Sequence, residues 1–399
     1  MSSSNRKILF LIFSPLFTKG GHSKNFINLI KHLEPEIKKF NFKAYIVSYN
    51  NSSKEKTDNL NNISENSFFN SYKVLIKKRF FPSGKTIFRA SEYILNVIRT
   101  ILIIFKNKPD IVYAYSEKTL YLVYSLKKLF KFKLIYDMRG DIIDELRVRG
   151  AAQSYINRLS KTNSKALDST DLVFSVSSFN NLDSKLKIVP KYNYYDGELF
   201  RYDEVKMRKK KKELKLEDKF VFVYTGNAHY YQFLDGTINL FSQFLKKHPD
   251  SYLIIITEYE FSKFTDLLNS YKIPENGYLI KSLLQKDISE LQQMADIGFM
   301  LREDLPLNQY SFPTKFAEYL ASGVPVLMTP HIKSIVPIVI ENNLGEIIEI
   351  KDDYSSEIDK IYLKFKNNLL IKERCAEFAK QELMWQKKSV DIFNFIRNI

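Results

Sequence analysis

The stretch SFPTKFAEYLASGVPV, residues 311–326, carries the clearest local signals in the chain. Ser311 and Pro313 predict a helix start, because serine can cap a first turn and proline is preorganised for it. Gly323 is typical of a helix end, and the apolar run that follows it, residues 324–328, predicts a buried strand. The stretch is therefore a helix–strand unit of the kind from which parallel sheets are built.

The same helix carries groups suited to a phosphorylated ligand. Ser311, Lys315 and Glu318 are spaced by four and three residues and share one helix face. The free N–H groups of a helix start, together with Ser311, Thr314 and Lys315, can hold a diphosphate. Glu318, one turn later, can accept hydrogen bonds from ribose hydroxyls. The alternative from the residues alone is an ordinary capped helix with a Lys315–Glu318 surface ion pair.

On both sides of a break near residue 210, short apolar runs alternate with amphipathic stretches. The first series predicts strands at 7–13, 43–48, 110–115, 133–136 and 172–175. The second series predicts strands at 220–224, 252–257, 278–280, 297–301 and 324–328. Two such series predict an α/β fold of two Rossmann-like parallel-sheet domains with helices on both faces.

Breaks in the alternation predict the domain boundaries. The first domain is expected at 1–205, a basic linker at 206–218, and the second domain at 219–380. The linker contains five consecutive basic residues, a run that is typical of a solvated segment. Residues 50–71 are rich in Asn and Ser and lack periodicity, which predicts a long exposed loop in the first domain.

Length and composition limit the class of protein. With 399 residues, 45% of them hydrophobic and 14% aromatic, the chain can form two cores and is neither disordered nor fibrous. Its one cysteine, Cys375, excludes a disulfide framework and a multi-thiolate metal site. The longest apolar tract, 94–105, is interrupted by Asn96, Arg99 and Thr100, short of the roughly 20 residues that a bilayer requires. We therefore expect a cytoplasmic chain.

The charge is distributed unequally along the chain. Residues 1–200 hold 33 Lys and Arg against 17 Asp and Glu, whereas residues 201–399 hold 28 of each kind. The whole net charge of +16 therefore belongs to the first half. Such a split predicts that the first half of the chain binds an anionic partner.

Residues 311–326 resemble the nucleotide-sugar-binding motif of the GT-B glycosyltransferases, and specifically that of glycosyltransferase family 4. The family carries two glutamates separated by seven residues around this helix start. Glu318 matches the second glutamate, which binds the nucleotide ribose, and Tyr310 stands where the first contacts hydroxyls of the donor sugar. The resemblance implies that a nucleotide sugar contacts Tyr310, Ser311, Phe312, Thr314 and Glu318.

The start of the predicted second domain also resembles the family. Gly226 follows the strand at 220–224 and matches a family glycine that lets the backbone approach a phosphate. Many members continue with an arginine and a lysine that neutralise the diphosphate, where this chain offers Asn227, His229 and Gln232 instead. We therefore expect Gly226 and Asn227 to bind the nucleotide sugar, and Lys315 and Arg302 to supply the positive charge that assists leaving-group departure.

Two segments of the first domain complete the predicted site. Gly20 and Gly21 form a turn after the first strand, and the resemblance implies that this turn approaches the donor phosphate and the acceptor. Asp137 and Arg139 follow the strand at 133–136, where side chains of a parallel sheet face a ligand crevice. Arg139 could stabilise the leaving group or orient the sugar, held by Asp137. The alternative is a structural Asp137–Arg139 pair that caps the next helix.

The resemblance implies a retaining, nucleotide-sugar-dependent hexosyltransferase with two domains that face each other across a cleft. In this fold a C-terminal helix, here expected at 381–399, crosses back to the first domain. No cofactor is implied, and no metal ion is expected because no His, Asp and Glu cluster has metal-ligand spacing. Tyr310 keeps open the alternative of a catalytically lapsed GT-B-like binding scaffold.

The acceptor is expected on the first domain, where the family usually places it. Phe80, Phe81, Ile87 and Phe88 alternate with basic residues and predict a patch facing an anionic membrane surface. The basic members are Lys73, Lys77, Lys78, Arg79, Lys85, Arg89 and Arg99. This patch favours a lipid-diphosphate-linked saccharide acceptor, as in bacterial capsule, O-antigen or exopolysaccharide biosynthesis, with a solvated basic surface as the alternative.

A pI of about 9.4 also suggests nucleic-acid binding. The sequence lacks a recognisable nucleic-acid recognition module, and its strongest motif lies in the neutral half. We therefore expect no nucleic-acid partner.

Overall fold

The computed structural model divides the chain into two compact units. The first unit comprises residues 1–192 and 386–399, and the second comprises residues 193–385. The structure describes residues 5–17, 21–80, 86–176, 186–258 and 261–399, with the backbone alone at 21, 50, 53, 54, 56, 86–89 and 230.

The described part of the first unit is built on a parallel sheet with the strand order β3-β2-β1-β4-β5-β6-β7. Its strands are β1 Lys7–Ile12, β2 Lys43–Asn51, β3 Tyr72–Lys78, β4 Ile111–Tyr115, β5 Lys133–Met138, β6 Leu172–Ser175 and β7 Ile188–Pro190. Its helices before the crossing to the second unit are α1 Gly21–Lys39, α2 Ser53–Glu65, α3 Thr86–Asn107, α4 Glu117–Val123, α5 Lys127–Phe130, α6 Ile142–Val148 and α7 Gln153–Leu167. Because the strand order reverses between β1 and β4, their carboxyl ends form the edge at which such sheets bind ligands.

The second unit repeats this plan with the strand order β10-β9-β8-β11-β12-β13. Its strands are β8 Phe220–Thr225, β9 Ser251–Ile256, β10 Tyr278–Lys281, β11 Ile297–Met300, β12 Val326–Met328 and β13 Gly345–Ile347. Its helices are α8 Glu204–Glu213, α9 Leu234–Lys247, α10 Phe261–Ser270, α11 Gln285–Gln292, α12 Pro306–Gln309, α13 Thr314–Ala321, α14 Val336–Glu341, α15 Ser355–Phe365 and α16 Leu369–Glu382, after which α17 Trp385–Arg397 follows. The reversal lies between β8 and β11. The prediction of two Rossmann-like parallel-sheet domains is confirmed.

The prediction of a loop at 50–71 is wrong. Residues 53–65 form α2, which begins with a capping box. The Ser52 side chain accepts a hydrogen bond from Glu55 N, and the Glu55 carboxylate accepts one from Ser52 N. Strand β3 follows the short 3-10 turn Ser67–Ser71. The capping box overrides a composition that is typical of loops.

The basic run at 208–212 lies in a helix of the second unit and not in a linker. Helix α8 spans Glu204–Glu213, and Met207 and Lys211 on it are buried. The Lys211 ammonium lies 3.3 Å from the carboxylate of Asp296, which is 1% exposed. A buried carboxylate partner explains why one lysine of a charged run can lie inside the protein.

The chain returns to the first unit after the second is complete. In α17, the ring of Phe393 is fully buried and stacks on Phe40 at a centroid distance of 5.7 Å. Nη1 of Arg6 donates to the carbonyl of Arg397. Residues 386–399 therefore belong to the first unit, and the observed boundaries lie at 192 and 385 rather than at the predicted 205 and 380.

Within the described residues, we find no helix with the length and apolar character needed to span a membrane.

Candidate functional site

In the second unit, the candidate site lies where β8 and β11 end. Gly226 directly follows β8 and has a φ of 140°, a backbone conformation that favours glycine. A Cβ built on it would lie 3.9 Å from Oε1 of Gln232, so the turn brings the backbone beside that amide. The strand end and the Gln232 side chain together form one wall of the site.

Two cations converge on the Gln232 side chain. Nη1 of Arg302, which follows β11, and Nζ of Lys315, on α13, both donate to its Oε1, the lysine at 3.2 Å. Arg302 is 3% exposed and Lys315 is 8% exposed. Within the described part of the chain, neither has a carboxylate at ion-pair distance. Two buried positive charges therefore share one neutral acceptor.

The electrostatics of this pair are dominated by burial, because no described carboxylate lies at ion-pair distance from either cation. Burial, and then the positive charge of Arg302, hold the pKa of Lys315 well below its ordinary value, although Glu318 acts in the opposite direction. Burial also lowers the pKa of Arg302. The faces of two tyrosines supply partial compensation: Lys315 Nζ lies 4.8 Å from the ring centroid of Tyr224, and the Arg302 guanidinium carbon lies 5.9 Å from that of Tyr231.

Helix α13 points its first turn into the same region. Its N-cap is Pro313, and no side chain caps it. Ser311 was predicted as the cap, but its hydroxyl donates to the carbonyl of Asn308 at 2.9 Å, because residues 306–309 form the separate short helix α12. The hydroxyl of Tyr319 accepts a hydrogen bond from Thr225 N at 2.7 Å and so ties α13 to the end of β8.

The remaining predicted residues of this unit differ in how deeply their side chains are buried. Thr314, Glu318 and Tyr310 are half-buried. Phe312 is 2% exposed and packs edge-on against Phe316, so its side chain belongs to the core, and its carbonyl accepts a hydrogen bond from the Asn193 side chain. The half-buried Asn227 accepts the Tyr224 hydroxyl hydrogen bond on its carbonyl at 2.6 Å.

In the first unit, Asp137 is a buried anchor. It lies within β5, one residue further into the strand than predicted, and is fully buried. Its carboxylate accepts hydrogen bonds from Lys191 Nζ at 2.8 Å and from the Tyr113 hydroxyl at 2.6 Å, and Arg139 Nη1 lies at 3.5 Å. Burial raises its pKa, but Lys191 and then Arg139 outweigh that effect and lower the pKa. Asp137 therefore holds Arg139 and cannot itself contact a ligand. The cap of the next helix is Asp141, whose side chain accepts from Ile143 N.

Arg139 opens onto a pocket of about 270 Å³ at the carboxyl ends of β1, β4 and β5. Ser14, His22, Ser116 and Glu117 are among its lining residues. Burial lowers the pKa of His22 to about 4, with the charge of Arg139 as the next cause, so this imidazole is neutral at physiological pH. Burial raises the pKa of Glu117. The pocket is a polar cavity with one arginine on its wall.

Gly21 begins α1, whereas Gly20 lies outside the described residues. Three further residues of the two sites, Gln232, His22 and Lys191, were given no role from the sequence. Signals for two of them existed: His22 follows the glycine turn, and Lys191 directly follows an apolar strand. Gln232 lies in a stretch without periodicity, and only the fold brings it between two cations.

Residues 205–382 match a protein-family model described as glycosyl transferases group 1. Among solved structures, Alr3699/HepE from Anabaena in complex with UDP has a TM-score of 0.74 at 14% identity, over 98% of this chain and 100% of that one. Sucrose-phosphate synthase (tll1590) from Thermosynechococcus elongatus has a TM-score of 0.76 at 12% identity, over 98% of each chain. WaaG, a glycosyltransferase involved in lipopolysaccharide biosynthesis, has a TM-score of 0.64 at 14% identity, over 96% and 99%.

No curated protein sequence matches the chain. The structural likenesses span nearly the whole length of each chain, and at such low identities they establish the fold. The expected GT-B fold is confirmed. The narrower assignment to family 4 stays a prediction.

Proposed function

We propose that this chain, a GT-B protein whose residues 205–382 carry a group 1 glycosyltransferase domain, transfers a sugar from a nucleoside-diphosphate sugar to a saccharide acceptor. One observation carries the proposal: Arg302 and Lys315 are both buried and donate to one amide oxygen, and no carboxylate among the described residues lies at ion-pair distance from either. Burying like charges in this way costs free energy, which a bound anion would offset. A diphosphate carries the required negative charge.

Each residue of the second-unit site has a role in this proposal. The diphosphate lies against Arg302, Lys315 and the first turn of α13, whose N–H groups favour an anion. Gly226 lets the backbone approach the phosphates, and Glu318 accepts hydrogen bonds from the ribose. When the bond between the sugar and the diphosphate breaks, negative charge grows on the leaving group, and the two fixed cations stabilise it.

Further parts of the proposal concern the sugar and the acceptor. Tyr310, Ser311 and Thr314 contact the donor, and Arg139, oriented by Asp137, contacts the sugar or its acceptor. Transfer proceeds with retention of the anomeric configuration and without a metal ion. The acceptor is a lipid-diphosphate-linked saccharide of a bacterial surface polysaccharide. This part is supported by the basic first half of the chain and by the likeness to WaaG, which acts in lipopolysaccharide biosynthesis.

Calorimetry with a panel of nucleoside diphosphates and their sugars tests the donor site. We expect selective binding of one base, and Lys315→Ala should weaken it roughly tenfold to a hundredfold, the effect of losing a charge-assisted hydrogen bond. Lys360→Ala is the matched control, since Lys360 is an exposed lysine of the same unit that pairs with Glu346.

A second variant tests whether the two cations need a negative charge between them, while the melting temperature reports on folding. Gln232→Glu keeps the side-chain shape but places a carboxylate between Arg302 and Lys315. It should raise the melting temperature of the ligand-free protein and abolish diphosphate binding, because the site then has its own anion. Unaltered affinity in both Lys315→Ala and Gln232→Glu, or no binding of any nucleotide by the native chain, would refute the proposed donor site.

The reaction itself needs a separate assay. The native chain is incubated with the nucleotide sugar that binds and with lipid-diphosphate-linked saccharides, and the anomeric configuration of the product is read by NMR. A product whose linkage has the configuration of the donor supports the retaining mechanism. Inversion would exclude it, and binding without transfer to any saccharide would favour the lapsed scaffold.

A further inference from the structure

Helix α3 carries apolar residues on two sides. Toward the protein it buries Ile103 and Ile104, which are 7% and 1% exposed, together with three polar residues: Glu92 is 6% exposed, and Asn96 and Thr100 are fully buried. Thr100 shares a hydrogen bond of 2.6 Å with the hydroxyl of Tyr49, and the Glu92 carboxylate accepts one from Arg99. These contacts, and the packing of Ile103 and Ile104 in the core, hold this side of the helix against the rest of the first unit.

The opposite face of α3 is apolar and exposed. Ile94, Ile98, Leu102 and Phe105, which we call the α3 stripe, are 59%, 49%, 61% and 66% exposed. Their spacing of four, four and three residues aligns them along one side of the helix over about 17 Å. A surface helix of a water-soluble domain normally carries polar residues on its outer face, so this exposed apolar row is suited to an apolar partner.

The α3 stripe ends at a groove with a basic rim. Phe105 and Leu129, which is 70% exposed, line this groove. Its charged lining side chains are Arg6, Lys108, Lys131 and Lys133, with Asp110 as the acidic one, and Lys133 also pairs with Asp171. The chain around the helix is also strongly basic: residues 73–108 contain nine Lys and Arg and one acidic residue, Glu92. Since Glu92 is buried and paired with Arg99, the segment presents positive charge around an apolar row.

We infer that the α3 stripe and its basic rim dock the first unit on the surface of an anionic lipid bilayer. A single row of aliphatic and aromatic side chains flanked by lysines has the form of a helix that lies in the headgroup region, with its apolar side toward the acyl chains. The lysines would then meet lipid phosphates, each contributing to binding near the surface.

A second copy of the chain fits this surface less well. A symmetric contact would place the same patch on both partners and would bring two sets of Lys108, Lys131 and Lys133 toward each other. Such like-charge contacts oppose association, whereas an anionic membrane complements them.

The docking surface differs from the patch expected from the sequence. Of the apolar residues in that patch, Phe80 is 74% exposed, while Phe81 and the side chains of Ile87 and Phe88 lie outside the part that the structure describes. The α3 stripe lies further along the same helix. The inference rests on the proposed function, because a lipid-linked acceptor would require the enzyme to reach a membrane. The vesicle test below uses neither a donor nor an acceptor. Membrane docking and sugar transfer can therefore be refuted separately.

Vesicle sedimentation with the full chain tests the inference. We expect binding to vesicles of phosphatidylglycerol and phosphatidylcholine, weaker binding at high salt, and little binding to phosphatidylcholine alone. The triple variant Ile94→Ser, Ile98→Ser, Leu102→Ser should bind the anionic vesicles at least about tenfold more weakly than the native chain, because it removes the apolar contacts. The matched control is Leu363→Ser with Leu370→Ser, two leucines of the second unit that are 79% and 73% exposed.

A fluorescence variant gives a second readout that does not depend on loss of binding. The one native tryptophan, Trp385, is 2% exposed and supplies a constant background. In Leu102→Trp, a new indole lies in the α3 stripe, and its emission should shift to shorter wavelength when anionic vesicles are added.

Three results would overturn the inference. The first is a native chain that does not sediment with anionic vesicles, and the second is a Leu102→Trp emission unchanged by them. The third is a serine triple variant that binds lipid like the native chain but converts a dimer to a monomer in analytical ultracentrifugation, which would assign the surface to a second copy.

Discussion

Burying a lysine beside an arginine lowers the free energy of unfolding unless a negatively charged group lies close to both. Lys315 stands in that position, with the carbonyl oxygen of Gln232 as its hydrogen-bond acceptor and the ring of Tyr224 beneath it. An ordinary helix-capping lysine would lie in solvent near a carboxylate. The buried geometry therefore favours the ligand-binding interpretation of the sequence motif over the surface ion pair with Glu318.

The lowered pKa of Lys315 predicts proton uptake when a diphosphate binds. The anion stabilises the ammonium form and raises the pKa, so at pH values between the two pKa values the complex holds more protons than the free protein. Calorimetry in buffers with different ionisation enthalpies measures this uptake. The buffer dependence should vanish in Lys315→Met and persist in Lys360→Ala.

The same shift predicts how stability depends on pH. The folded pKa of Lys315 lies below that of the unfolded chain, so the unfolded state binds more protons between the two values. The free energy of unfolding of the ligand-free protein should therefore rise, through this group, as the pH rises from the lowered pKa toward the ordinary value. Denaturant titrations of the native chain and of Lys315→Met at several pH values give the difference. A contribution that falls with rising pH would contradict the assignment.

At the scale of elements, the position of α13 depends on a close approach to β11. A Cβ built on Gly298 would lie 2.8 Å from Cδ2 of Tyr319, which is fully buried. The Tyr319 hydroxyl in turn accepts from Thr225 at the end of β8. One glycine therefore controls how the helix start meets the strand ends.

Gly298→Ala should lower the free energy of unfolding by about 1–3 kcal/mol, the usual cost of overpacking a core. It should also weaken nucleotide binding, because a displaced Tyr319 moves Lys315 away from Gln232. Urea titration and calorimetry measure the two effects. Gly277→Ala is the control, since a Cβ there meets side chains at an ordinary 3.6 Å. Equal stability of the two variants would show that α13 adjusts without cost.

At the scale of the whole molecule, the first unit is built from two separate parts of the chain, residues 1–192 and 386–399. Helix α17 returns to that unit after the second is built, and Phe393 packs between Phe40 and Phe42. The folding of residues 1–192 is therefore linked to the last residues of the chain. Folding of the first unit cannot be completed until the chain has passed through the second.

Phe393→Ala should destabilise the first unit by about 3 kcal/mol, as expected for a large buried ring. Hydrogen exchange should become faster in β1 and β2, while the strands of the second unit keep their protection and serve as the internal control. A uniform loss of protection in both units would mean that they unfold as one cooperative body.

Local patterns predicted ten of the thirteen strands in the described residues, and β3, β7 and β13 are in neither predicted series. Continuous apolar runs predicted strands such as β1, β4 and β8, and Pro313 with Gly323 bracketed α13 to within a residue or two. One wrong prediction can be explained by a local signal in the sequence. The loop predicted at 50–71 contains the capping box of Ser52 and Glu55, a signal that was present but was outweighed by composition.

The sequence alone established two α/β domains and a helix–strand motif that resembles a nucleotide-sugar site, because apolar periodicity, proline and glycine act on the residues nearest to them. The tertiary structure alone placed Gln232 against Arg302 and Lys315, which lie 70 and 83 positions further along the chain. It also left the α3 stripe exposed, because another side of α3, with Ile103 and Ile104, packs in the core. Both depend on which strand ends meet and which helix faces are covered, and these are long-range contacts that no local pattern encodes.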